Sequence, residues 1–271
     1  MIDSSPFGAR QSRFVEHLAD DTLAVVSRGS DIRWLTGFTG SNGLLLIRPG
    51  ASTLLTDGRY REQASREAFV MEVRIIHGDL IGAVSGVVDD DGAANSKPAL
   101  RRVVFQADDL SFEQVVGLQQ SLADHRPEFA AIGDTLSSLR SVKDGGELDT
   151  IGRALAISEG VMEEIHELLQ PGVSERTVAA EIDYRHRLRG ADGAAFDTIV
   201  AFGERAALPH ARPGESLLAP GDCILIDFGC VVDGYRSDIT RTMVLGEPPS
   251  GFIEAYRAVE KALLSAQDAV K

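Results

Sequence analysis

Cysteines, basic residues and long apolar runs are all scarce in this chain. Its 271 residues include two cysteines, Cys223 and Cys230, which stand seven positions apart in one predicted strand. At about 3.3 Å per residue they lie about 23 Å apart on opposite faces, which is too far for a disulfide. The sequence therefore excludes a disulfide-stapled scaffold and favours a reducing cytoplasm.

The other two shortages exclude further classes of protein. No run reaches the roughly 20 apolar residues of a membrane-spanning helix, and the N-terminus lacks the basic and apolar segments of a signal peptide. Lys and Arg total 27 against 41 Asp and Glu, a formal net charge of −14. So acidic a chain has no general attraction to nucleic acid or anionic lipid. We expect a globular cytoplasmic protein that binds neither.

Strand and helix patterns are mixed over the first half of the chain. The patterns predict strands at 22–27, 42–48, 51–56, 70–76, 101–105 and 129–132, and helices at 7–18, 59–67, 80–88 and 111–122. Ser111 is the expected N-cap of the last of these helices, and residues 89–98 are predicted to be an acidic, turn-rich loop. The fold class is therefore α/β (α+β), with one domain over residues 1–135 and a second over residues 136–271.

The second domain opens with two predicted helices. Apolar residues recur at three- and four-residue steps from 148 to 168, and Ser174 is placed to cap the next helix. In that next helix, Val178, Ile182 and Leu188 are expected to face inward. His186 is expected on its polar face, in contact with solvent. A final helix is predicted to follow Pro248-Pro249-Ser250.

The stretch with the clearest chemistry is a predicted β-hairpin closed by Asp233-Gly234, a strong turn signal between apolar runs. The register of that turn sets Asp227 opposite Thr240 and Asp238 opposite Gly229. Side chains repeat every two residues along a strand, so Asp227 and Asp238 share a face. As diagonal neighbours their Cβ atoms lie about 7–8 Å apart or less, which allows two carboxylates to converge on one ion.

The surroundings of Asp227 favour a metal site. It lies within the apolar run 224–228, which is expected to be buried on both faces. An unpartnered carboxylate there is costly, and divalent cations are good partners for carboxylate oxygens. The alternative is an aspartate that pairs with Arg236 or Arg241, or that caps a turn. The second aspartate, Asp238, on the same face shifts the balance toward a site.

His210 is the second candidate. It lies between Pro209 and Ala211, with Pro213 following, in a loop that the prolines restrict. A neutral imidazole there could bind a substrate or move a proton. A loop histidine without a role remains an open alternative.

Several of these segments together resemble the pita-bread metallopeptidases, in particular the Xaa-Pro aminopeptidases and Xaa-Pro dipeptidases (prolidases). Residues 31–43 and 54–60 resemble their N-terminal domain, and residues 139–148 resemble the entry to their catalytic domain. Leu-Pro-His-Ala-Arg-Pro at 208–213 is similar to the histidine loop of the family. The segments 226–229 and 234–242 are similar to those that carry its first two metal ligands.

The resemblance implies a site and an activity. Asp227 and Asp238 match two aspartate ligands of a dinuclear centre with two divalent metal ions, Mn²⁺ before Co²⁺ or Zn²⁺, and Asp238 would bridge both ions. His210 matches the catalytic histidine that contacts the substrate and helps move a proton. The implied reaction is hydrolysis of the bond between an N-terminal residue and a following proline. The implied partner is a peptide or dipeptide with proline at its second position, and a homodimer is also implied.

The family pattern is matched only in part. Family members complete the site with one histidine and two glutamates further downstream, and this chain has no matching motif after His210. We therefore expect a C-terminally truncated chain with an incomplete pita-bread catalytic domain. Two alternatives stay open: an inactive fragment or non-enzymatic peptide-binding module of the same fold, and a creatinase-like amidinohydrolase. Creatinases lack the metal ligands, so Asp227 and Asp238 argue against that branch.

Overall fold

The computed structural model describes residues 6–69, 71–95 and 98–270. The chain divides into two compact units, Met1–Val142 and Lys143–Lys271. None of the helices formed by the described residues has the length and apolar character required to cross a membrane.

The first unit is built on one mixed sheet. Its strands are β1 (Thr22–Val26), β2 (Gly43–Arg48), β3 (Ala51–Asp57), β4 (Glu72–Ile76), β5 (Arg102–Phe105) and β6 (Glu128–Ala131). They lie in the order β4-β3-β2-β1-β5-β6. Strand β2 runs antiparallel to β1 and β3, and the remaining pairs are parallel. The predicted hairpin of β2 and β3 is thus confirmed.

Helices cover both faces of this sheet. They are α1 (Pro6–Val15), α2 (Gly29–Thr36), α3 (Arg61–Glu67), α4 (Val84–Asn95), α5 (Phe112–Ser121) and α6 (Thr135–Ser141). Alternate side chains of β1 enter two separate cores: Leu23 and Val25 pack with residues of α4 and α5, and Ala24 and Val26 with residues of α1, α2 and α6. Since strand side chains alternate between faces, one buried sheet supports both cores.

Ion pairs explain one difference from the predicted elements. Helix α4 continues to Asn95 through the acidic segment that was predicted to be a loop, whose residues 96 and 97 lie outside the described part. Asp89 pairs with His125 at 2.9 Å and Asp90 with Arg74 at 2.7 Å. These partners offset the repulsion between neighbouring carboxylates on the exposed side of the helix. The short helices α2 and α6 were not predicted, whereas the N-cap Ser111 is confirmed.

The second unit combines helices with two small antiparallel sheets. Its elements are α7 (Gly145–Leu168), α8 (Glu175–Leu188), β7 (Gly193–Ala194), β8 (Ile199–Phe202), β9 (Cys223–Phe228), β10 (Cys230–Val232), β11 (Tyr235–Arg236), β12 (Ile239–Val244) and α9 (Phe252–Ala269). The sheets have the orders β12-β9-β8 and β11-β10-β7. Helices α7 and α8 pack on the first sheet through Val161, Ile165, Val178, Ile226 and Phe228. The expected mixed α/β class is confirmed.

The prediction that His186 is solvated is wrong. His186 is fully buried, whereas Leu188, which was expected to face inward, is 68% exposed. The buried positions of α8 are Glu175, Val178, Ile182 and His186, at steps of three and four residues. His186 therefore continues the inward stripe of the helix, and Leu188 lies two positions past it, on another face.

Candidate metal centre

The turn of the central hairpin fixes its register. Asp233 and Gly234 have φ values of 49° and 77°, and positive φ at both central residues is the geometry of a type I′ turn. Beyond the turn, Val232 pairs with Tyr235, and further along Asp227 pairs with Thr240. The predicted register is confirmed.

The hairpin is interrupted at one point, next to Asp238. The pairing of β9 with β12 ends at Phe228, and the pairing of β10 with β11 begins after Gly229. A Cβ atom on Gly229 would lie 1.9 Å from the carbonyl oxygen of Ser237 and 3.3 Å from the Cα of Asp238. The two backbones therefore approach closely where Gly229 faces Asp238, and only glycine, which has no Cβ atom, fits at position 229.

Burial along β9 alternates. Ile224, Ile226 and Phe228 are buried against α7 and α8, while Asp227 is half-buried on the other face and Asp238 is exposed. The expectation of a strand buried on both faces is wrong, because within the described residues the helices cover one side of this sheet. Asp227 thus occupies the central strand of the β12-β9-β8 sheet on its open face.

A neighbouring hydroxyl holds the Asp227 carboxylate. Thr240 Oγ1 donates a hydrogen bond of 2.9 Å to Asp227 Oδ1. The guanidinium of Arg236 donates to the carbonyl of Ala195, and that of Arg241 donates to the Thr240 carbonyl. Neither arginine forms an ion pair with the aspartates, so the structure does not support the arginine alternative.

The donor chemistry fits a divalent cation as part of a ligand set. Among the described residues, Oδ2 of Asp227 and the whole carboxylate of Asp238 have no hydrogen-bond or ion-pair partner. Carboxylate oxygens of this kind suit Mn²⁺ and similar ions. Over residues 6–69, 71–95 and 98–270, no group of three or more His, Cys, Asp and Glu side chains is arranged around a common point. Asp227 and Asp238 therefore fit as two ligands and do not form a complete cage.

The structure does not join His210 to these aspartates. His210 is exposed in the turn that follows the 3-10 segment Gly203–Ala207. Within the described part of the chain, no hydrogen bond or ion pair links it to Asp227 or Asp238. It lies in the loop between β8 and β9, and β9 is the strand that carries Asp227.

A buried polar cluster next to Asp238 was missed from the sequence. Ser158 Oγ lies 3.2 Å from His186 Nε2 and 2.8 Å from Ser237 Oγ, and Ser237 Oγ accepts a 3.0 Å hydrogen bond from the backbone N–H of Cys230. The His186 ring stacks on Phe228, with centroids 5.7 Å apart. Burial lowers the pKa of His186, although the nearby Asp183 carboxylate acts in the opposite direction. The four-residue steps from Val178 to His186 were the signal for this burial.

Comparison with known proteins gives consistent matches over both units. Residues 149–271 match Metallopeptidase family M24, and residues 10–142 match the Creatinase/Prolidase N-terminal domain. An uncharacterized peptidase of Bacillus subtilis, YqhT, is 32% identical over 235 residues, which are 87% of this chain and 64% of that protein. The chain thus spans less than two thirds of the length of this curated relative.

Solved structures match the fold closely. An Xaa-Pro dipeptidase from Bacillus anthracis gives a TM-score of 0.87 at 31% identity, covering 95% of this chain and 70% of that one. An X-Pro aminopeptidase from Thermotoga maritima gives 0.83 at 32% identity, covering 93% and 70%. The predicted resemblance is confirmed: the chain belongs to the M24 metallopeptidase family and carries a creatinase/prolidase N-terminal domain.

Proposed function

We propose that the protein is an Xaa-Pro peptidase that hydrolyses the bond between an N-terminal residue and a following proline. The observation that carries the proposal is the hairpin register, which sets Asp227 opposite Thr240 and Asp238 opposite Gly229. Two carboxylates on one face of the hairpin can serve as ligands for cations. Among the described residues, neither is paired with an arginine. The proposal of proline specificity rests on the similarity to an Xaa-Pro dipeptidase and an X-Pro aminopeptidase.

Membership of the M24 family implies a divalent metal cofactor. We propose two ions, Mn²⁺ before Co²⁺ or Zn²⁺, which Asp227 and Asp238 would hold in part. When bound, such ions lower the pKa of a shared water toward neutrality and polarise the scissile carbonyl. Thr240 would orient Asp227 by holding its Oδ1, which leaves Oδ2 free to serve as a ligand.

His210 is proposed to contact the substrate. Its imidazole is exposed, so a peptide can reach it without rearrangement of the core. A neutral imidazole can donate a hydrogen bond to a substrate carbonyl, or take up a proton and then, as imidazolium, pass it to the amine that leaves. We also propose a homodimer, which light scattering would detect as twice the mass of the chain.

Peptide hydrolysis tests the proposal directly. The purified protein with MnCl₂ is expected to release alanine from Ala-Pro or from Ala-Pro-Ala, and to leave Ala-Ala intact. Cleavage of Ala-Pro alone would indicate a dipeptidase, and cleavage of Ala-Pro-Ala an aminopeptidase. Asp227→Asn is expected to abolish the release. Asp233→Asn is the matched control, because it changes a carboxylate of the same hairpin at a positive-φ position that asparagine tolerates.

Three results would contradict the proposal. Cleavage that survives both a chelator and Asp227→Asn would separate the activity from these carboxylates. Metal-independent turnover of creatine would indicate the amidinohydrolase alternative. Mn²⁺ binding that requires Asp227, with no turnover of any Xaa-Pro peptide, would favour the alternative of an inactive fragment or non-enzymatic peptide-binding module.

A further inference from the structure

The loop that carries His210 is closed at both ends by one carboxylate. The backbone N–H of Phe202, at its start, donates to Glu175 Oε1 at 2.9 Å. The N–H of Gly214, at its end, donates to Glu175 Oε2 at 2.9 Å. His210 therefore lies on a closed span of backbone whose two ends meet on a single side chain.

Glu175 is unusual for its burial. It is the first residue of α8, and its side chain has no solvent exposure. A carboxylate in such a place is costly unless its oxygens are satisfied. Besides the hydrogen bonds from the two backbone N–H groups, Glu175 accepts hydrogen bonds from Nε of Arg205, at 2.9 Å to Oε1 and 3.2 Å to Oε2. The four contacts give both oxygens partners, so the arrangement is a built clamp and not an incidental surface pair.

Arg205 extends the clamp into the loop. Its Nη2 donates to the carbonyl of Arg212 at 2.7 Å, two residues beyond His210. One guanidinium thus joins the buried carboxylate to the backbone on the far side of the histidine. A backbone hydrogen bond also joins the end of the loop to the start of α8: the Arg176 N–H donates to the Gly214 carbonyl at 3.0 Å.

We propose that Glu175 and Arg205 are positioning residues that hold the His210 loop in its working conformation. The proposal rests on the function proposed for His210. Neither residue is proposed to touch the substrate. They act by reducing the conformations open to the loop, so that the imidazole does not have to be ordered in each catalytic cycle.

Another ion-pair cluster of the same unit provides the control. Glu164 pairs with Arg189 at 2.6 Å and also with Arg185, linking α7 to α8. It is a carboxylate held by two arginines, but it has no hydrogen bond to the loop among the described residues. A general loss of stability should follow from Glu164→Gln as well as from Glu175→Gln, whereas loosening of the loop should follow only from the latter.

Hydrogen exchange and NMR test the clamp without any need for activity. Arg205→Gln and Glu175→Gln are expected to speed exchange of the amides of residues 203–214 by about tenfold or more, since each substitution frees backbone groups that the clamp holds. Both should also shift the His210 imidazole resonance. Glu164→Gln should change neither. Because Arg205 is 39% exposed, Arg205→Gln should fold even where Glu175→Gln does not. Unchanged exchange in Arg205→Gln would overturn the proposal.

A double-mutant cycle with His210→Ala tests the link to catalysis. Arg205→Gln is expected to lower kcat on an Xaa-Pro peptide by about tenfold when His210 is present, and by less than about twofold in the His210→Ala background, because residues linked through one hydrogen-bonded backbone segment couple and independent ones do not. Equal losses in both backgrounds would show that the clamp does not act through His210 and would overturn the proposal. If the wild-type protein cleaves no Xaa-Pro peptide, the proposed function fails, while the exchange and NMR results still decide whether the clamp orders the loop.

Discussion

Replacing Gly229 with alanine would push the two halves of the central hairpin apart. The new Cβ would lie 1.9 Å from the carbonyl oxygen of Ser237 and 2.7 Å from its carbonyl carbon. Ordinary contacts of carbon with heavy atoms begin near 3.5 Å, so the backbones must separate by at least about 1 Å. The atoms in the way belong to the main chain, so no side-chain rotation can relieve the overlap.

The size of the effect follows from what that separation breaks. The Ser237 N–H donates to the Cys230 carbonyl at 3.0 Å, and the Cys230 N–H donates to Ser237 Oγ at 3.0 Å. Losing these bonds costs about 1 kcal/mol each, and overpacking of a tight contact costs about 1–3 kcal/mol. We expect Gly229→Ala to lower the free energy of unfolding by about 3–5 kcal/mol and to weaken Mn²⁺ binding, because Asp238 lies opposite the changed residue.

Urea unfolding measures this change, and Gly152→Ala is the matched control. Gly152 lies on α7, and beyond the adjacent backbone of that helix no atom of the described residues is within 4 Å of the position of a Cβ, so alanine there should stabilise the protein by about 0.5–1 kcal/mol. Two glycine-to-alanine changes in one unit should thus have opposite signs. If Gly229→Ala stays within about 0.5 kcal/mol of the wild type and keeps its Mn²⁺ affinity, the close approach of the strands is not a feature of the protein.

Two further predictions concern the surroundings of the aspartates. Thr240→Val removes the hydrogen bond to Asp227 and should weaken Mn²⁺ binding about tenfold or more in a titration followed by electron paramagnetic resonance; Thr242→Val, on the same strand, should change it little, and equal effects would contradict a role for the hydroxyl. Burial lowers the pKa of His186, so the unfolded chain binds a proton at this imidazole more readily than the native protein does. The free energy of unfolding is therefore highest above the unfolded pKa of about 6.5, and it falls as the pH drops from there toward the pKa of His186 in the native protein. Urea midpoints between pH 7.5 and 5.5 should show this fall, and it should be smaller in His186→Phe; an equal fall in both proteins would show that His186 is not its source.

The hairpin could be predicted because its geometry is local. Asp233-Gly234 selects a type I′ turn, and a turn type fixes the register of every pair that follows. The pairing of Asp227 with Thr240 is a consequence of that register. The burial of Asp227 could not be predicted in the same way, because an apolar run does not reveal which elements cover each face of a sheet.

Long-range partners explain what the sequence left hidden. Glu175 is satisfied by groups 27 to 39 residues away in the chain, and no periodic pattern reports such contacts. His186 is polar, so composition assigned it to the solvent, although its spacing from Ile182 is that of a buried position. The acidic stretch of α4 has the composition of a loop, and the residues that offset its charge are distant in the sequence: Arg74 on β4 and His125 in the turn after α5.

Mn²⁺ binding by the hairpin carboxylates tests the central claim most directly. The protein should bind Mn²⁺ with a dissociation constant on the order of 1 mM or tighter, measured as loss of the free-ion signal in electron paramagnetic resonance. Asp227→Asn and Asp238→Asn should each weaken that binding at least about tenfold, since each removes a charged oxygen ligand, and Asp233→Asn should leave it unchanged. Binding that is equally strong in all four proteins would contradict the assignment of Asp227 and Asp238 as metal ligands.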